Sequence, residues 1–313
     1  MNWMAQLLIG LAMGVLIAAA AYKAQALSFS GAVAAALSGG LVFGLGGLSW
    51  ALLLLGFFIS SSGLSRAFAK RKAGLSEKFS KGSRRDWAQV LANGGLGALL
   101  AVLHVLLPGQ AWPWWAFAGA MAAVNADTWA TELGVLSKTP PRLLTTLRPV
   151  ERGESGAVSA LGTLAAFSGA ALIGLLAALG QALDAARLLG AASPVLPPQA
   201  LALAADGQPQ AAAMLLGGGQ VLALTVPGGL LWLVLAVALA GLAGALFDSL
   251  LGATVQAIYW CPDCRKETER HPLHLCGAPT THRRGWSWMD NDVVNFLASL
   301  SGALAACAAM LLL

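Results

Sequence analysis

The sequence has few charged residues for its length. Only 11% of its 313 residues are Asp, Glu, Lys or Arg, whereas soluble domains carry about 25%. The hydrophobic share is 58%, above the roughly 45–50% of soluble domains. So few charged residues cannot cover the solvated surface of a soluble protein. Disordered chains have low hydrophobicity, whereas this chain has a high hydrophobic share. A soluble enzyme and a disordered chain are both excluded, and a polytopic membrane protein is predicted.

Cysteines and nucleotide-binding motifs are also scarce. Three of the four cysteines lie in one charged loop, and Cys307 lies alone in an apolar run, so the pattern does not predict a disulfide framework. The formal net charge is +5, but no aromatic and basic recognition motif accompanies it, so nucleic acid is not an expected partner. The sequence contains neither a Walker A motif nor a kinase signature. Any nucleotide must therefore be held in another way.

Long apolar runs, in contrast, fill most of the chain. A helix that crosses a membrane needs about 20 apolar residues. We predict an all-α transmembrane bundle of about eight spans that forms a single integral membrane domain over residues 1–313. The predicted spans are Trp3–Ala21, Gly31–Leu45, Leu48–Ser62, Trp87–Leu107, Trp114–Leu136, Val158–Leu179, Gly228–Tyr259 and Asp292–Leu313.

Some of these runs leave alternatives open. The second and third spans are short and divided by Gly44–Gly47, so they are either two re-entrant helices or two full spans. The seventh is too long for one vertical span, and it must tilt, protrude or break near Asp248. Residues Leu201–Val226 are read as an interfacial or partly helical segment on the outer side, because a further span there would reverse the orientation of the last two helices.

Basic residues predict the orientation of the bundle. Lys and Arg are concentrated in Leu64–Asp86, Lys138–Gly156 and Trp260–Asp290, and eight spans place all three loops on one side. The positive-inside rule makes that side cytoplasmic. We therefore expect a multi-pass protein of a bacterial-type inner (plasma) membrane, with both termini on the outer side.

Acidic residues within the predicted spans are the main candidates for function, because such residues are rare and costly in a membrane. Asp127 and Glu132 lie on the fifth span, Asp248 lies toward the end of the seventh, and Asp292 opens the eighth. Each would cost about 2.5–3.5 kcal/mol at a helix centre. All four fall at the cytoplasmic ends of their helices, which predicts a shared site on that face of the membrane.

Helical spacing limits how these groups can be arranged. Asn125, Thr128 and Glu132 share one face of a helix, whereas Asp127 is displaced from it by more than about 90°. These four side chains therefore cannot all point at one ligand. Small residues at steps of four are also ordinary contacts between membrane helices, and Asp290 or Asn291 would serve simply as an N-cap.

Several acids beside many arginines favour phosphate chemistry. Carboxylates hold Mg²⁺ at substrate phosphates, and Lys and Arg neutralise the charge that develops there. The second, fourth, sixth and eighth spans all begin at the cytoplasmic face, so their positive helix ends point toward the same site. The segment Arg152–Gly156, which reads Arg-Gly-Glu-Ser-Gly, is typical of a flexible turn that cradles an anion.

The charged loop 260–290 carries a second type of site. A Cys261-Pro-Asp-Cys264 knuckle is followed by His274 and Cys276, which is the ligand pattern of a tetrahedral Zn²⁺ site. We predict Cys261, Cys264, His274 and Cys276 as ligands, with His271 or His282 as alternatives to His274. A full set of four protein ligands implies a closed structural site that staples a cytoplasmic, zinc-ribbon-like loop.

Five segments of the chain resemble a known family. They are Gly82–Gly95, Asn125-Ala-Asp-Thr-Trp-Ala-Thr-Glu-Leu-Gly134, Gly156–Thr163, Asp248–Gly252 and Asp290-Asn-Asp-Val-Val-Asn295. They are similar to the integral membrane family of domain of unknown function 92, which includes transmembrane protein 19 and the chloroplast phytyl-phosphate kinases. The resemblance runs nearly from end to end, and the Asn125–Glu132 and Asn291–Asn295 strings carry most of its specificity.

The resemblance implies a membrane-embedded transferase. Such an enzyme would use a nucleoside triphosphate, CTP or ATP, to convert an isoprenoid (phytyl or prenyl) monophosphate into its diphosphate, with the lipid tail between helices. We expect Asp127, Glu132, Asp248 and Asp292 to bind Mg²⁺ and to perform acid–base chemistry. The expected substrate-binding residues are Arg84, Arg85, Asn93, Asn125, Thr128, Arg148, Arg152, Ser155, Ser159 and Asn295. The alternative is a transporter or lipid-handling protein, whose polar residues should continue to the far side of the membrane.

Overall fold

A computed structural model describes residues 3–68, 84–191 and 228–312 of the chain. Eight helices and five short strands lie within these ranges. The helices are α1 (Trp3–Lys23), α2 (Phe29–Gly46), α3 (Leu48–Ala67), α4 (Trp87–Leu106), α5 (Trp112–Gly134), α6 (Ala160–Ala191), α7 (Gly229–Thr254) and α8 (Asn291–Met310). The strands are β1 (Arg142–Leu143), β2 (Ala157–Val158), β3 (Ile258–Cys261), β4 (Lys266–Thr268) and β5 (Thr281–Arg284).

The predicted helical membrane bundle is confirmed. Among the described residues, seven helices are long and apolar enough to cross a membrane, namely all except α5. The second and third predicted spans are helices of 18 and 20 residues, so they have the length of full spans rather than of re-entrant segments. The predicted outer segment Leu201–Val226 lies outside the described residues.

Two predicted boundaries were wrong. The seventh span was expected to reach Tyr259 and to tilt, protrude or break near Asp248. Helix α7 runs through Asp248 without a break and ends at Thr254. Strand β3 then begins at Ile258, because the β-branched and aromatic residues of this strand pair with β4 and β5. The sixth span was expected to end at Leu179, and α6 instead continues to Ala191.

Helix α5 is the centre of the bundle. It packs against α3, α4, α6, α7 and α8, and every residue from Pro113 to Ala126 is buried. Asn125, Asp127, Thr128 and Glu132 make its second half more polar, and the predicted span Trp114–Leu136 is therefore not among the seven apolar helices. Helices α1 and α2 form a pair at the edge, with α2 also contacting α3 and α4.

Consecutive helices run in opposite directions, which gathers one set of loops at a single end, called here the polar end. The Leu27 segment bridges Arg85 just before α4, and the Arg66 guanidinium at the end of α3 donates to the Ala24 carbonyl. At the same end Gly156 packs against Ala253 of α7. The described ends of the three basic loops therefore lie at one end of the bundle, as the spacing of the spans predicts.

Strands occur only as small additions at this end within the described chain. Strands β1 and β2 pair antiparallel just before α6, and β4, β3 and β5 form a three-stranded antiparallel sheet, called here the ribbon sheet, between α7 and α8. The sheet covers the region that the sequence assigned to a Cys- and His-containing loop, but it begins at Ile258 rather than at residue 260.

Close approach of α5 and α8 depends on glycine. A Cβ at Gly302 would lie 2.6 Å from the Gly119 carbonyl oxygen and 2.7 Å from the Ala123 Cβ. We expect Gly302→Ala to lower the free energy of unfolding by about 1–3 kcal/mol, the usual cost of overpacking. Gly94→Ala is the matched control, because no atom lies within 4 Å of a Cβ there. Thermal unfolding of both variants in detergent is the measurement, and equal midpoints would contradict this packing.

Candidate functional site

A cavity of about 460 Å³ opens at the polar end of the bundle. Its walls come from α3 to α8, from the turn before α6 and from the ribbon sheet. Its polar lining comprises Ser65, Arg85, Gln89, Asn93, Asp127, Thr128, Thr131, Glu132, Arg152, Glu154, Ser155, Ser159, Thr163, Asp248, Ser249, Gln256, Glu269, Asn291 and Asn295. The predicted convergence of polar residues at one face of the membrane therefore takes the form of a single cavity.

Three carboxylates meet on one side of this cavity. Asp127 of α5 and Glu269 of the ribbon sheet are the charged neighbours of Asp248 on α7. Asp248 is half-buried as a residue, but its Oδ2 is shielded from solvent and makes no hydrogen bond to the described part of the chain. Like charges this close repel one another, so the arrangement favours a cation between them.

Glu132 belongs to a different part of the cavity wall. Its Oε1 accepts a hydrogen bond of 2.7 Å from the Ser65 hydroxyl, and its charge acts on the guanidinium of Arg85. Arg85 donates from Nη2 to the Ser61 hydroxyl at 3.0 Å. Burial lowers the pKa of Arg85, and Glu132 acts in the opposite direction. This acid therefore holds a cation in place at the cavity wall.

Three helix N-termini surround the cavity, as the alternating direction of the helices predicts. Asp86 caps α4 in a reciprocal capping box with Gln89, and the Ser159 hydroxyl accepts from the Gly162 N–H at the start of α6. Asp290 caps α8 by accepting from the Val293 N–H, which confirms the N-cap interpretation of that residue. The positive helix ends therefore face the site.

The turn before α6 has the backbone that its sequence indicates. Gly153 and Gly156 both adopt left-handed conformations, with φ of 78° and 82°, a region that glycine enters without steric cost. Gly156 also allows the turn to lie against the Ala253 backbone. The Arg152 guanidinium lies in the cavity wall and donates to the Ser137 carbonyl at 2.7 Å.

Glu269 is the site residue that sequence reasoning missed. It follows β4, and its Oε1 accepts hydrogen bonds from the Ser155 hydroxyl at 2.7 Å and from the Gln256 amide at 3.0 Å. These bonds join the ribbon sheet to the turn before α6 and to the end of α7. In the sequence, Glu269 stands in a charged loop and is indistinguishable from a solvated acid.

Four of the predicted site residues lie outside the cavity lining. Asn125 is fully buried, accepts from Ser60 at 3.0 Å and donates to the Gly169 carbonyl at 2.8 Å, so it joins α3, α5 and α6. Arg84 is exposed and donates to the Leu27 carbonyl. Arg148 is exposed in the loop between β1 and β2, and Asp292 is half-buried in the first turn of α8.

The other ten predicted residues line the cavity together. They are Arg85, Asn93, Asp127, Thr128, Glu132, Arg152, Ser155, Ser159, Asp248 and Asn295. The helical spacing placed Asn125 on one face with Thr128 and Glu132 and displaced Asp127 from it. The structure differs, because Asp127 lines the cavity with Thr128 and Glu132, and Asn125 is the residue turned away from it.

The Cys and His residues of the ribbon sheet converge in space. The ligand atoms of Cys261, Cys264, His274 and Cys276 all lie within 4.8 Å of one another. The Cys261–Cys276 sulfur distance is 3.6 Å, and His274 Nδ1 lies 3.5 Å from Cys264 and 3.2 Å from Cys276. A tetrahedral Zn²⁺ with bonds of about 2.3 Å to sulfur and about 2.0–2.1 Å to nitrogen separates its ligands by ~3.5–3.8 Å. The donor set and its spacing fit that ion.

The two alternative histidines lie elsewhere on the sheet. His271 stacks on the Tyr259 ring at 4.4 Å, and His282 contacts the edge of the same ring at 5.6 Å. Without a metal, the hydrogen bond to His274 lowers the pKa of Cys276 to about 7. The hydrogen bond with Cys276 raises the pKa of Cys264 to about 12. Adjacent thiols therefore do not ionise together on their own, whereas a bound divalent cation keeps its sulfur ligands as thiolates.

These features define an integral membrane helical bundle with a polar, carboxylate-rich cavity at one end. The chain matches the family described as Integral membrane protein DUF92 over residues 12–303, and it belongs to that family. The match confirms the family that the Asn125–Glu132 and Asn291–Asn295 strings indicate.

Proteins of similar sequence occur in three other organisms. Protein PGR of Arabidopsis thaliana is 32% identical over 299 residues, which cover 91% of this chain and 89% of that protein. An uncharacterized membrane protein of Methanocaldococcus jannaschii is 36% identical over 153 residues, 49% of this chain and 62% of its own. One from Synechocystis is 36% identical over 124 residues, 37% of this chain and 46% of its own. No solved structure matches the chain.

Measurements of unfolding stability test the electrostatic interaction between Arg85 and Glu132. We expect Arg85→Gln and Glu132→Gln each to destabilise the protein, because each leaves an opposite charge without its neighbour in the cavity wall. The double variant should lose less than the sum, with a coupling of about 0.5–3 kcal/mol. Arg84→Gln with Glu132→Gln is the matched control cycle, since Arg84 lies outside the cavity. Unfolding midpoints of the two cycles provide the comparison, and equal coupling in both would refute the pairing.

Proposed function

We propose that this chain is a membrane-embedded transferase that phosphorylates an isoprenoid monophosphate, with a nucleoside triphosphate as donor. The observation that carries the proposal is the meeting of Asp127, Asp248 and Glu269 in a cavity whose wall also contains Arg85 and Arg152. Phosphoryl transfer needs a site of this composition, because its catalysis consists mainly of positioning and of charge stabilisation. Membership of the membrane family and the implied likeness to phytyl-phosphate kinases support the same reaction.

The proposed reaction leads from a monophosphate to a diphosphate. An oxygen of the lipid monophosphate attacks the γ-phosphorus of the nucleotide, and the bond from that phosphorus to the β–γ bridging oxygen breaks. The products are the isoprenoid diphosphate and the nucleoside diphosphate. Since the second pKa of a phosphate monoester is near 6, the attacking oxygen is already ionised at neutral pH. Electrostatic stabilisation is therefore more important here than removal of a proton.

The residues of the cavity divide this work between them. Asp127, Asp248 and Glu269 offer the oxygen ligands that Mg²⁺ prefers, and such an ion neutralises phosphate charge when bound. Arg85 and Arg152 bind phosphate oxygens, and Asn93 and Asn295 orient them from α4 and α8. Glu132 lies beside Arg85 and would hold it in position. Asp292, which was expected to bind the metal, lies outside the cavity lining and is not among the proposed ligands. Thr128, Ser155 and Ser159 line the same wall. The Thr128 and Ser155 hydroxyls donate to the Val124 carbonyl and to Glu269, so Ser159 is the hydroxyl that would donate to a phosphate oxygen.

The opposite end of the bundle favours an enzyme over a transporter. Trp50 stacks on Phe117 at 4.4 Å and lies 5.6 Å from Trp114, and all three side chains are fully buried. A transport path would need polar residues to continue past the membrane midplane. The described outer core is filled mainly by stacked aromatic rings, with Ser49 and Gln181 as buried polar residues, whereas the carboxylates and arginines of the cavity lie at the polar end.

We also propose that the four-ligand cluster holds a structural Zn²⁺ and that the polar end faces the cytoplasm of a bacterial-type inner membrane. The cluster is closed by four protein ligands, which is typical of structural rather than catalytic zinc. The orientation rests on the basic loops at the polar end. It also places the cavity on the side where nucleoside triphosphates are available.

Removal of one carboxylate charge tests the transferase. We expect Asp127→Asn and Asp248→Asn to reduce transfer from labelled CTP or ATP to phytyl or geranylgeranyl monophosphate by at least about 100-fold, because an amide does not hold Mg²⁺. Folding should survive, since the loss of a charge lowers the cost of burial. Asp184→Asn, at the opposite end of the bundle, is the matched control.

Thermal unfolding measured on the same samples separates catalysis from packing. Asn variants that keep near wild-type turnover, or that lose stability in proportion to activity, would sink the metal-site proposal. A wild-type protein that transfers no phosphate from either nucleotide to either lipid would remove the transferase itself.

The zinc proposal predicts a stoichiometry and a ligand set. Elemental analysis of the purified protein should find about one Zn²⁺ per chain, because four ligands form one site. Cys264→Ser and His274→Ala should lose the metal and lower the unfolding midpoint. Cys307→Ser and His282→Ala are the controls, since these residues lie outside the cluster, and both should keep it. Zinc retained by Cys264→Ser, or lost in the controls, would contradict the ligand set.

A further inference from the structure

A second cavity of about 550 Å³ lies between the turn before α6 and the ribbon sheet. It shares Gly153, Glu154, Ser155 and Glu269 with the main cavity, so the two adjoin. Its volume is within the range of about 300–1,000 Å³ that small-molecule sites occupy.

The ribbon sheet separates this cavity from the Cys and His cluster. Successive side chains of a strand point to opposite faces, so Trp260 and its neighbour Cys261 lie on different sides of the sheet. Trp260, Glu267 and Arg283 line the second cavity, whereas Cys261 belongs to the metal-ligand cluster. The face that lines the cavity is therefore backed by the cluster that is proposed to bind zinc.

The cavity-lining face has a flat aromatic and cationic surface. The Arg283 guanidinium lies over the Trp260 ring at 4.4 Å, and its Nε is held by the Glu267 carboxylate at 3.1 Å. Nucleic-acid bases stack on aromatic rings and on arginine planes of this kind. Three cations line the same cavity, Arg265, Lys266 and Arg283, together with four acids, Glu151, Glu154, Glu267 and Glu269. A triphosphate would therefore enter it as its Mg²⁺ complex, with the acids near the metal and the cations near the phosphate oxygens.

The junction of the two cavities is lined by two carboxylates, Glu154 and Glu269, and by the Gly153 turn, so a phosphate chain would cross it bound to Mg²⁺. Glu269 lies there and is held by Ser155 and Gln256, and it neighbours Asp248 in the main cavity. The left-handed Gly153 turn lies on the boundary. A nucleotide with its base at Trp260 and Arg283 would extend its phosphates past this turn, toward the carboxylates of the main cavity.

We infer that the second cavity binds the nucleoside triphosphate, with the base against Trp260 and Arg283 and the γ-phosphate directed through the Glu269 junction. This inference rests on the proposed transferase function and adds the location of its donor. The lipid monophosphate then occupies the main cavity alone, among the helices. In this assignment one face of the ribbon sheet forms a wall of the nucleotide site, and the Cys and His cluster stabilises the sheet from its other face.

Direct binding to the purified full-length protein tests this assignment. Isothermal titration with MgCTP and with MgATP should show that Trp260→Leu and Arg283→Ala each weaken nucleotide binding by about 5- to 150-fold, the loss expected for one base stack. Arg265→Gln should weaken it as well. Binding of phytyl monophosphate should be unchanged in all three variants, and their zinc content should match the wild type, which shows that the sheet is intact.

Trp286→Leu and Lys23→Ala are the matched controls. Trp286 is an exposed tryptophan outside both cavities, and Lys23 is an exposed cation at the same end of the bundle. Both variants should bind nucleotide as the wild type does.

The outcomes separate this inference from the function on which it rests. The wild type transfers phosphate in one outcome, while Trp260→Leu, Arg283→Ala and Arg265→Gln bind nucleotide normally. That result would overturn the assignment of the nucleotide to the second cavity and leave the proposed transferase function intact. If the wild type binds neither nucleotide, both are overturned. Parallel loss of nucleotide and phytyl monophosphate binding in the three variants would also overturn the assignment, because it would show one shared site.

Discussion

A carboxylate inside an apolar bundle must be surrounded by protein, and much of this structure follows from that constraint. Helix α5 carries Asp127 and Glu132 in its second half and lies at the centre of the bundle, in contact with five other helices. Lipid exposure of either acid would be costly. The central position encloses both of them, and it leaves the apolar faces of the surrounding helices to meet the membrane.

The acids enclosed in the bundle differ in their charged neighbours. Glu132 lies beside Arg85 and accepts from Ser65, so its charge is balanced by protein groups. Asp248 has the acids Asp127 and Glu269 as charged neighbours, so like-charge repulsion disfavours its ionised form unless a cation binds beside it. An acid beside an arginine and a group of three neighbouring acids therefore lie in one cavity wall. Their difference is set by which side chains face them and not by residue type.

The ribbon sheet adds a small antiparallel β-sheet to a membrane helical bundle. It is inserted between α7 and α8, and hydrogen bonds from Ser155 and Gln256 tie Glu269 to the helical part. Because alternate side chains point to opposite faces, strand β3 presents Cys261 on one side of the sheet and Trp260 on the other. A small module can in this way be held rigid from behind while its front face lines a cavity.

The sequence alone determined the features that arise from local pattern. Apolar runs set the number and approximate bounds of the helices, Asp86 and Asp290 occupy cap positions, and the Cys261-Pro-Asp-Cys264 knuckle identified the cluster. Contacts between distant segments were decided by the tertiary structure. Asn125 and Asp127 are two residues apart, yet the rotation of α5 buries one against Gly169 and turns the other into the cavity. Glu269 reaches the site only because the ribbon sheet folds back over α7. Periodicity describes one element at a time, whereas the meeting of side chains depends on how elements pack.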